Sequence, residues 1–296
     1  MNSHTKGIFY IIVSAVIFGM MPIAAKIIYI NGSNPLTLTF HRFIFSIPCL
    51  FFMCSLSKIK IRFPSRIYFV ELVTLALGYT ITPLLLFISY SYIASGLATT
   101  VHFVYPVLVL LGCALFFHER INKVQVLCCI LCLCGISSFY TPGNVANITG
   151  IVIAFASGIT YAFYIIFLAK SGMRGVSSAL LGLYLAIIAS IILLVVNLVL
   201  GTLTFELTAT GWILSILFGV GTSGFATVLF QMGVSEIGPQ NGSLLSTFEP
   251  LTSVFAGVLL LGETLSFTAI IGVIYILVAI ILLTISDTRA VKKFLR

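Results

Sequence analysis

The sequence predicts an all-α membrane protein of about ten transmembrane helices, folded as two inverted five-helix repeats. Three observations predict it: the composition, the confinement of charge to the gaps between apolar runs, and an internal repeat at an offset of 144 residues. Hydrophobic residues fill 60% of the 296 positions, charged residues only 7%, and mean hydropathy is +1.22. A soluble domain has roughly 45–50% and about 25%, and no soluble core buries that much apolar surface. A hydrocarbon layer of about 30 Å is crossed by about 20 helical residues, so a chain of this length has room for roughly ten crossings and no extended soluble domain. The net charge of +8 does not point to nucleic acid, because the 15 Lys and Arg are not gathered on one basic face.

Apolar stretches run over 7–30, 36–56, 67–90, 95–117, 122–140, 148–169, 177–200, 210–234, 238–261 and 267–286. Each is long enough to cross a bilayer. The first is read as a retained span and not a cleaved leader, because its apolar run is long and carries Pro22 and Lys26. The short turn at 91–96 divides the third span from the fourth.

Orientation follows from the basic residues. With the N-terminus inside, the inner side holds Lys6; Lys58, Lys60, Arg62 and Arg66; Arg120 and Lys123; Lys170 and Arg174; and Arg289, Lys292, Lys293 and Arg296. That is thirteen of the fifteen, and the other two, Lys26 and Arg42, fall within spans. Both termini are therefore expected in the cytoplasm of a multi-pass protein of the cell membrane.

The repeat sets Val104–Ile121 on Phe248–Leu265, with Pro106 on Pro250 and Glu119 on Glu263. At an offset of 143, Gly7 falls on Gly150, Ser14 on Ser157 and Phe18 on Tyr161. Five spans per half is an odd number, so the halves, 1–143 and 144–296, must enter the membrane in opposite directions. Inverted repeats of this kind are common in secondary transporters.

At these residues the chain resembles the EamA family of the drug/metabolite transporter superfamily. The resemblance rests on Lys26, on Arg42-Phe43, on Tyr105-Pro106 through Glu119-Arg120, and on Glu249-Pro250 through Gly262-Glu263. It implies a secondary transporter of a small metabolite, an amino acid or related compound, with export favoured. The family pattern usually has a small residue such as Gly where this chain has His118. An importer or antiporter of a cationic amine is the alternative within transport; a structural membrane subunit or an intramembrane enzyme is the alternative outside it.

Glu249 lies near the middle of its span, where an isolated carboxylate is costly. At helical spacing its face carries Gly242, Ser246, Ser253 and Ala256, a small and polar stripe expected to look into the bundle. Two roles suit it, carrying a proton or meeting an amine on the cargo, against a purely structural carboxylate. Pro250 beside it, like Pro106 in the other half, is expected to break the helix and free carbonyls near the site. His102 and Tyr105 share a face, and a histidine there is a candidate relay or a satisfied core group. Lys26 and Arg42 fall near the outer ends of their spans and either snorkel to the interface or line an outer vestibule. Tyr79, Tyr161, Tyr164, Tyr184 and Tyr275 lie inside spans, as packing or as an aromatic cage for a cation. Phe18 and Tyr161, equivalent by the repeat, are expected to face one cavity. Glu119 and Glu263, equivalent yet on opposite membrane faces, are expected to act as gates.

Cys128, Cys129, Cys132 and Cys134 contain a C-x-x-C, but inside an apolar span they read as small packing residues. No phosphate-binding loop, nucleophile elbow or potassium filter is present in the sequence. No cofactor, metal or nucleic acid is expected; the expected partners are the lipid bilayer, a small-molecule cargo, and a proton or other ion as a candidate coupling species.

Overall fold

Backbone groups in hydrocarbon must be satisfied within the segment, which favours helices wherever the sequence is continuously apolar. The computed structural model describes residues 3–61, 66–93, 95–138, 147–261 and 267–294, and among these every regular element is helical. Among the described residues, six stretches are long and apolar enough to cross a membrane, including Ser3–Ile30, Pro35–Leu56, Ile148–Lys170 and Ala209–Leu245; Tyr105–Phe117, Lys123–Gly135 and Ile270–Ala279 are shorter apolar helices.

Several of the apolar runs are interrupted rods. The first is α1 (Ser3–Gly19) followed by α2 (Met21–Ile30), broken at Met20. Pro22 has no N–H to offer the Phe18 carbonyl and its ring crowds that oxygen, so the helix restarts there. The second run is α3 (Pro35–Ile44) and α4 (Ser46–Leu56), broken at Phe45, with Pro48 in the first turn of α4 doing the same to Ile44. Asn34 opens α3 by accepting the Thr37 N–H at 2.9 Å, with Pro35 at the first helical position. The third run is one helix, α5 (Arg66–Ser89), with Pro83 inside it.

The fourth run is α6 (Ser95–His102) and α7 (Tyr105–Phe117), separated by Phe103 and Val104. Pro106 does not sit in the middle of a helix: it is the second residue of α7, where a missing N–H costs nothing. Helix α7 stops at His118, which has left-handed backbone at φ 53°. Glycine adopts that conformation without cost, which gives a physical reason for the small residue the family pattern prefers there. Next come α8 (Lys123–Ser137), α9 (Ile148–Lys170), a single 3₁₀ turn at Gly172–Gly175, and α10 (Ser178–Leu200). Asn147 caps α9 through the Thr149 N–H, and left-handed Gly201 (φ 62°) ends α10.

The run 210–261 carries the least regular backbone. Helix α11 (Ala209–Gly219) passes through a π-helical stretch, Val220–Ala226, into α12 (Thr227–Leu245). Side chains take up the carbonyls the widened turn leaves: Thr222 donates to Phe218, Thr227 to Thr222, and Ser14 from α1 to Ala226. Helix α12 is bent at Gly238 (φ 81°) next to Pro239, which separates the eighth apolar run from the ninth. After a break at Ser246 and Thr247 the chain continues as α13 (Phe248–Leu261) and, beyond 262–266, α14 (Phe267–Phe294). Pro250 is thus in the first turn of α13, as Pro106 is in α7. The break also cuts the stripe expected from Gly242 through Ser246 to Glu249, because these residues do not share one continuous helix.

The packing repeats between the two halves. Helix α5 lies along α9 and α1 along α12; α7 packs on α9 and α13 on α1; α8 pairs with α14, and α10 with α3 and α4. Small residues set the closest approaches. A Cβ on Gly7 would meet Glu236 and Ile237 at 2.8 and 2.7 Å, and one on Gly150 would meet Tyr92 and Ile93, both at 2.8 Å. Tyr92 and Ile93 are the residues 144 positions before Glu236 and Ile237, so the same joint is built twice.

Candidate functional site

A cavity lies where the interrupted helices meet, and its walls come from both halves. Helices α1 and α2 give it Phe18 and Met21, α3 gives Arg42, and α5 gives Tyr79, Thr82, Pro83 and Leu86. Helix α6 contributes His102, α9 Tyr161 and Tyr164, α12 Thr227 and Phe230, and α13 Glu249.

Arg42 is 5% exposed, which for a guanidinium demands partners. Its Nε donates to Ser223 Oγ at 3.0 Å in the π-helical stretch, and Nη1 reaches Met21 Sδ at 3.4 Å. The Phe18 and Phe43 rings each lie 5.7 Å from the guanidinium carbon, a distance at which the negative ring face attracts a cation. Helix α11 supports this placement, since a Cβ on Gly219 would lie 3.0 Å from the carbonyl oxygens of both His41 and Arg42.

Glu249 is 8% exposed and, among the described residues, its carboxylate accepts no hydrogen bond and forms no ion pair. It faces the same cavity as Arg42 without being joined to it. Its backbone is held from behind: Gly19 packs directly on the Glu249 carbonyl, with no space for a side chain between them. On the opposite wall, Gly158 makes the same kind of approach to the His102 carbonyl.

Aromatic rings fill the remaining wall. Tyr161 stacks on Tyr164 at 6.0 Å and 7°, on Phe230 at 5.9 Å and 27°, and on His102 at 5.5 Å and 29°. Tyr79 donates to Thr227 Oγ1 at 3.0 Å within the wall, and Tyr164 OH accepts from Gln231 Nε2 at 3.0 Å behind it, so both tyrosines are held in place.

Of the candidate residues named from sequence, the structure brings Glu249, Arg42, His102, Tyr79, Tyr161, Tyr164 and Phe18 to this one cavity. Tyr105 is one layer behind, fully buried, with its ring edge-on to Tyr161 and the centroids 4.7 Å apart. Ser246 is buried too, but its hydroxyl donates to Gly242 of its own helix at 2.8 Å and it is not part of the wall. Lys26 is exposed on the outside of α2 and does not reach the cavity, although sequence position alone put it on a par with Arg42. Glu119 is elsewhere, at the end of the bundle, where it pairs with Lys170 and accepts from Gln240 Nε2 at 3.0 Å. Lys170 also sits 5.2 Å over the Phe117 ring. Glu263 lies outside the described residues. The sequence reading did not single out Met21, Thr82, Thr227 or Phe230, nor Ser223 as the partner of Arg42; Gly-Thr-Ser-Gly at 221–224 was the available signal, since such runs permit a widened helix turn.

The sequence profile of the EamA-like transporter family matches residues 5–141 and, a second time, residues 148–285. The chain belongs to the EamA-like transporter family, and with its succession of apolar helices it is a multi-pass membrane protein. Two curated relatives are named uncharacterized transporters. The one from Archaeoglobus fulgidus is 29% identical over 181 residues, 61% of this chain and 62% of the relative. The one from Synechocystis sp. is 30% identical over 207 residues, 67% of this chain and 61% of the relative. The chain therefore spans less than two thirds of the length of either. A solved crystal structure of a protein 16% identical to this chain superposes with a TM-score of 0.80 over 94% of this chain and 98% of that one, which places both in one fold.

Proposed function

We propose that this protein is a secondary transporter that exports a small zwitterionic metabolite, an amino acid or a close relative, across the cell membrane by alternating access. The observation that carries the reading is the pairing of opposite charges across a cavity without contact. Arg42 and Glu249 both face this space, and they make no ion pair with each other. A buried guanidinium and a buried carboxyl group that make no ion pair are costly, and a cargo bearing a carboxylate and an ammonium group offers each an oppositely charged partner. The aromatic wall suits an apolar side chain.

In this reading the halves, 1–143 and 144–296, are inverted five-helix repeats with both termini cytoplasmic. Support comes from the ends of the bundle. Asn31 accepts from Thr208, and Asn34 donates to Thr202 at 2.6 Å, so the loops expected outside touch each other. Lys170, Glu119 and Gln240, expected inside, meet at one place. In this reading that contact is part of the cytoplasmic gate. The second reading, an importer or antiporter of a cationic amine, draws on Glu249 and the tyrosine stack, but Arg42 facing the same space opposes a purely cationic cargo.

The test is a thermal-shift screen of the purified protein against the protein amino acids, simple amines and organic acids, followed by counterflow in proteoliposomes with and without a pH gradient. Wild type should be stabilised by at least one amino acid more than by its decarboxylated or deaminated analogue. Glu249→Gln should abolish gradient-driven transport while leaving binding if the carboxylate carries a proton, and Glu249→Ala should weaken binding if it holds the ammonium. Normal coupled transport by both variants would mean that the cargo site is elsewhere.

A further inference from the structure

We infer that His102 presents an unprotonated Nε2 to the cavity and reads N–H groups on the cargo as a hydrogen-bond acceptor, in partnership with Glu249. This rests on the reading of the cavity as a cargo site.

The argument is one of counting hydrogens. The Ser157 hydroxyl has a single hydrogen and donates it to the Ala154 carbonyl at 2.6 Å. The 2.8 Å contact between Ser157 Oγ and His102 Nδ1 must then run the other way, with Nδ1–H as donor. A neutral imidazole carries one N–H. The ring is buried and no carboxylate hydrogen-bonds it, which leaves it neutral, while Arg42 and Glu249 both face the same cavity. Nε2 is therefore left as a bare acceptor, and it makes no hydrogen bond with any described residue. The ring has little freedom to turn. Tyr161 stacks on it, Tyr105 lies 5.3 Å away, and Phe103 meets it edge-on at 5.9 Å and 89°.

The assignment sharpens what the site selects. Arg42 offers only donors, whereas His102 and Glu249 offer acceptors, so the cavity is sorted into a carboxylate side and an N–H side. A quaternary ammonium would satisfy the aromatic wall but leave Nε2 unpaired. Ser157 acts as a positioning residue, fixing the tautomer without lining the cavity. The repeat mate of His102 is Ser246, whose hydroxyl is spent on its own helix, so this acceptor is supplied by the first half only.

The experiment uses the full chain in nanodiscs with ¹⁵N-labelled histidine; the sequence has four, His4, His41, His102 and His118, and His102→Gln assigns the signal. The expected result is the Nδ1–H tautomer for His102 in wild type, and its loss or mixing in Ser157→Ala. Addition of L-leucine, a zwitterion with an apolar side chain, should move the Nε2 resonance, and its N,N,N-trimethyl derivative should not. L-Leucine binding should fall about tenfold or more in His102→Phe, and less in His102→Gln, which keeps an acceptor. A ring protonated at Nε2 or at both nitrogens overturns the inference, as does equal binding of L-leucine and its trimethyl derivative. Failure of L-leucine to bind wild type overturns the cargo half of it, whereas the proposed function falls only if the whole amino-acid set is inert.

Discussion

Gly19→Ala tests whether the close joint behind Glu249 holds the site in place. An added Cβ would lie 2.5 Å from the Glu249 carbonyl oxygen and 2.6 Å from Thr252 Cβ. Neither atom can swing aside: one is backbone, and the other is the stem of a side chain whose hydroxyl is bonded to the Phe248 carbonyl at 3.0 Å. Helices α1 and α13 must therefore separate. Alanine is the better helix former by up to about 1 kcal/mol, but overpacking a close-packed joint costs about 1–3 kcal/mol, so the clash wins by about 1–2 kcal/mol. At roughly 2–4 °C per kcal/mol for a protein of moderate size, the melting midpoint should drop by roughly 2–8 °C. The matched control is Gly175→Ala, where nothing lies within 4 Å of the new methyl group and the change should stay within about 0.5 kcal/mol. Both would be melted in one detergent, with and without a stabilising amino acid. Because the displaced atom belongs to Glu249, the amino-acid-induced shift should also shrink in Gly19→Ala and not in Gly175→Ala. Two variants that melt together, with equal ligand shifts, would refute the reasoning.

Two further outcomes follow from backbone and loop positions. On a Cys-free background, Ser33→Cys and Phe205→Cys should react with an impermeant thiol reagent from outside intact cells, and Lys123→Cys only after lysis; the reverse pattern would invert the proposed orientation. His118→Gly should raise the melting midpoint, since left-handed backbone costs a side-chain-bearing residue about 1–2 kcal/mol while the extra freedom of glycine in the unfolded chain returns up to about 1 kcal/mol. His118 is exposed, so little contact is lost, and an unchanged or lower midpoint would contradict the strain argument.

The sequence carried the helical class and the family because both rest on long signals, apolar runs and a repeat that extends over much of the chain. It located Glu249 because a carboxylate in an apolar run is conspicuous by itself. It did not separate Lys26 from Arg42, although the separating signal was present. One turn away from Arg42 on α3 and α4 are Leu38, Thr39, Phe45 and Ser46; all but the half-buried Phe45 are buried, and two of the four are small and polar. Around Lys26 the corresponding residues are Pro22, Ile23, Tyr29 and Ile30, a largely apolar surface that ends in the 85% exposed Ile30. Helical face, not distance from the span end, decides whether a cation enters the bundle. Gly-Thr-Ser-Gly hints at the π-helical stretch, but its use was not legible, because the Arg42–Ser223 bond joins residues 181 positions apart.

The cavity coincides with the irregular backbone, and that coincidence explains why its chemistry is affordable. Phe18 and Met21 flank the break at Met20, Arg42 lies just before the break at Phe45, and Pro83 is itself the irregularity in α5. His102 ends α6, Glu249 begins α13, and Thr227 follows the π-helical stretch. Among the described residues, α9, which supplies Tyr161 and Tyr164, passes the cavity as one helix with no proline inside it, whereas α5, also a single helix, carries Pro83. Irregular backbone at membrane depth is tolerated where it is buried in protein or lines a cavity, and interrupted helices are also where large φ/ψ changes are absorbed most easily. In the proposed alternating cycle, the groups that hold the cargo are thus mounted on the residues about which the rods bend, with α9 as the fixed wall. A conformational change that opens one end must then move Arg42, His102 and Glu249 relative to one another. The cargo, by bridging them, would bear directly on the equilibrium between the two states.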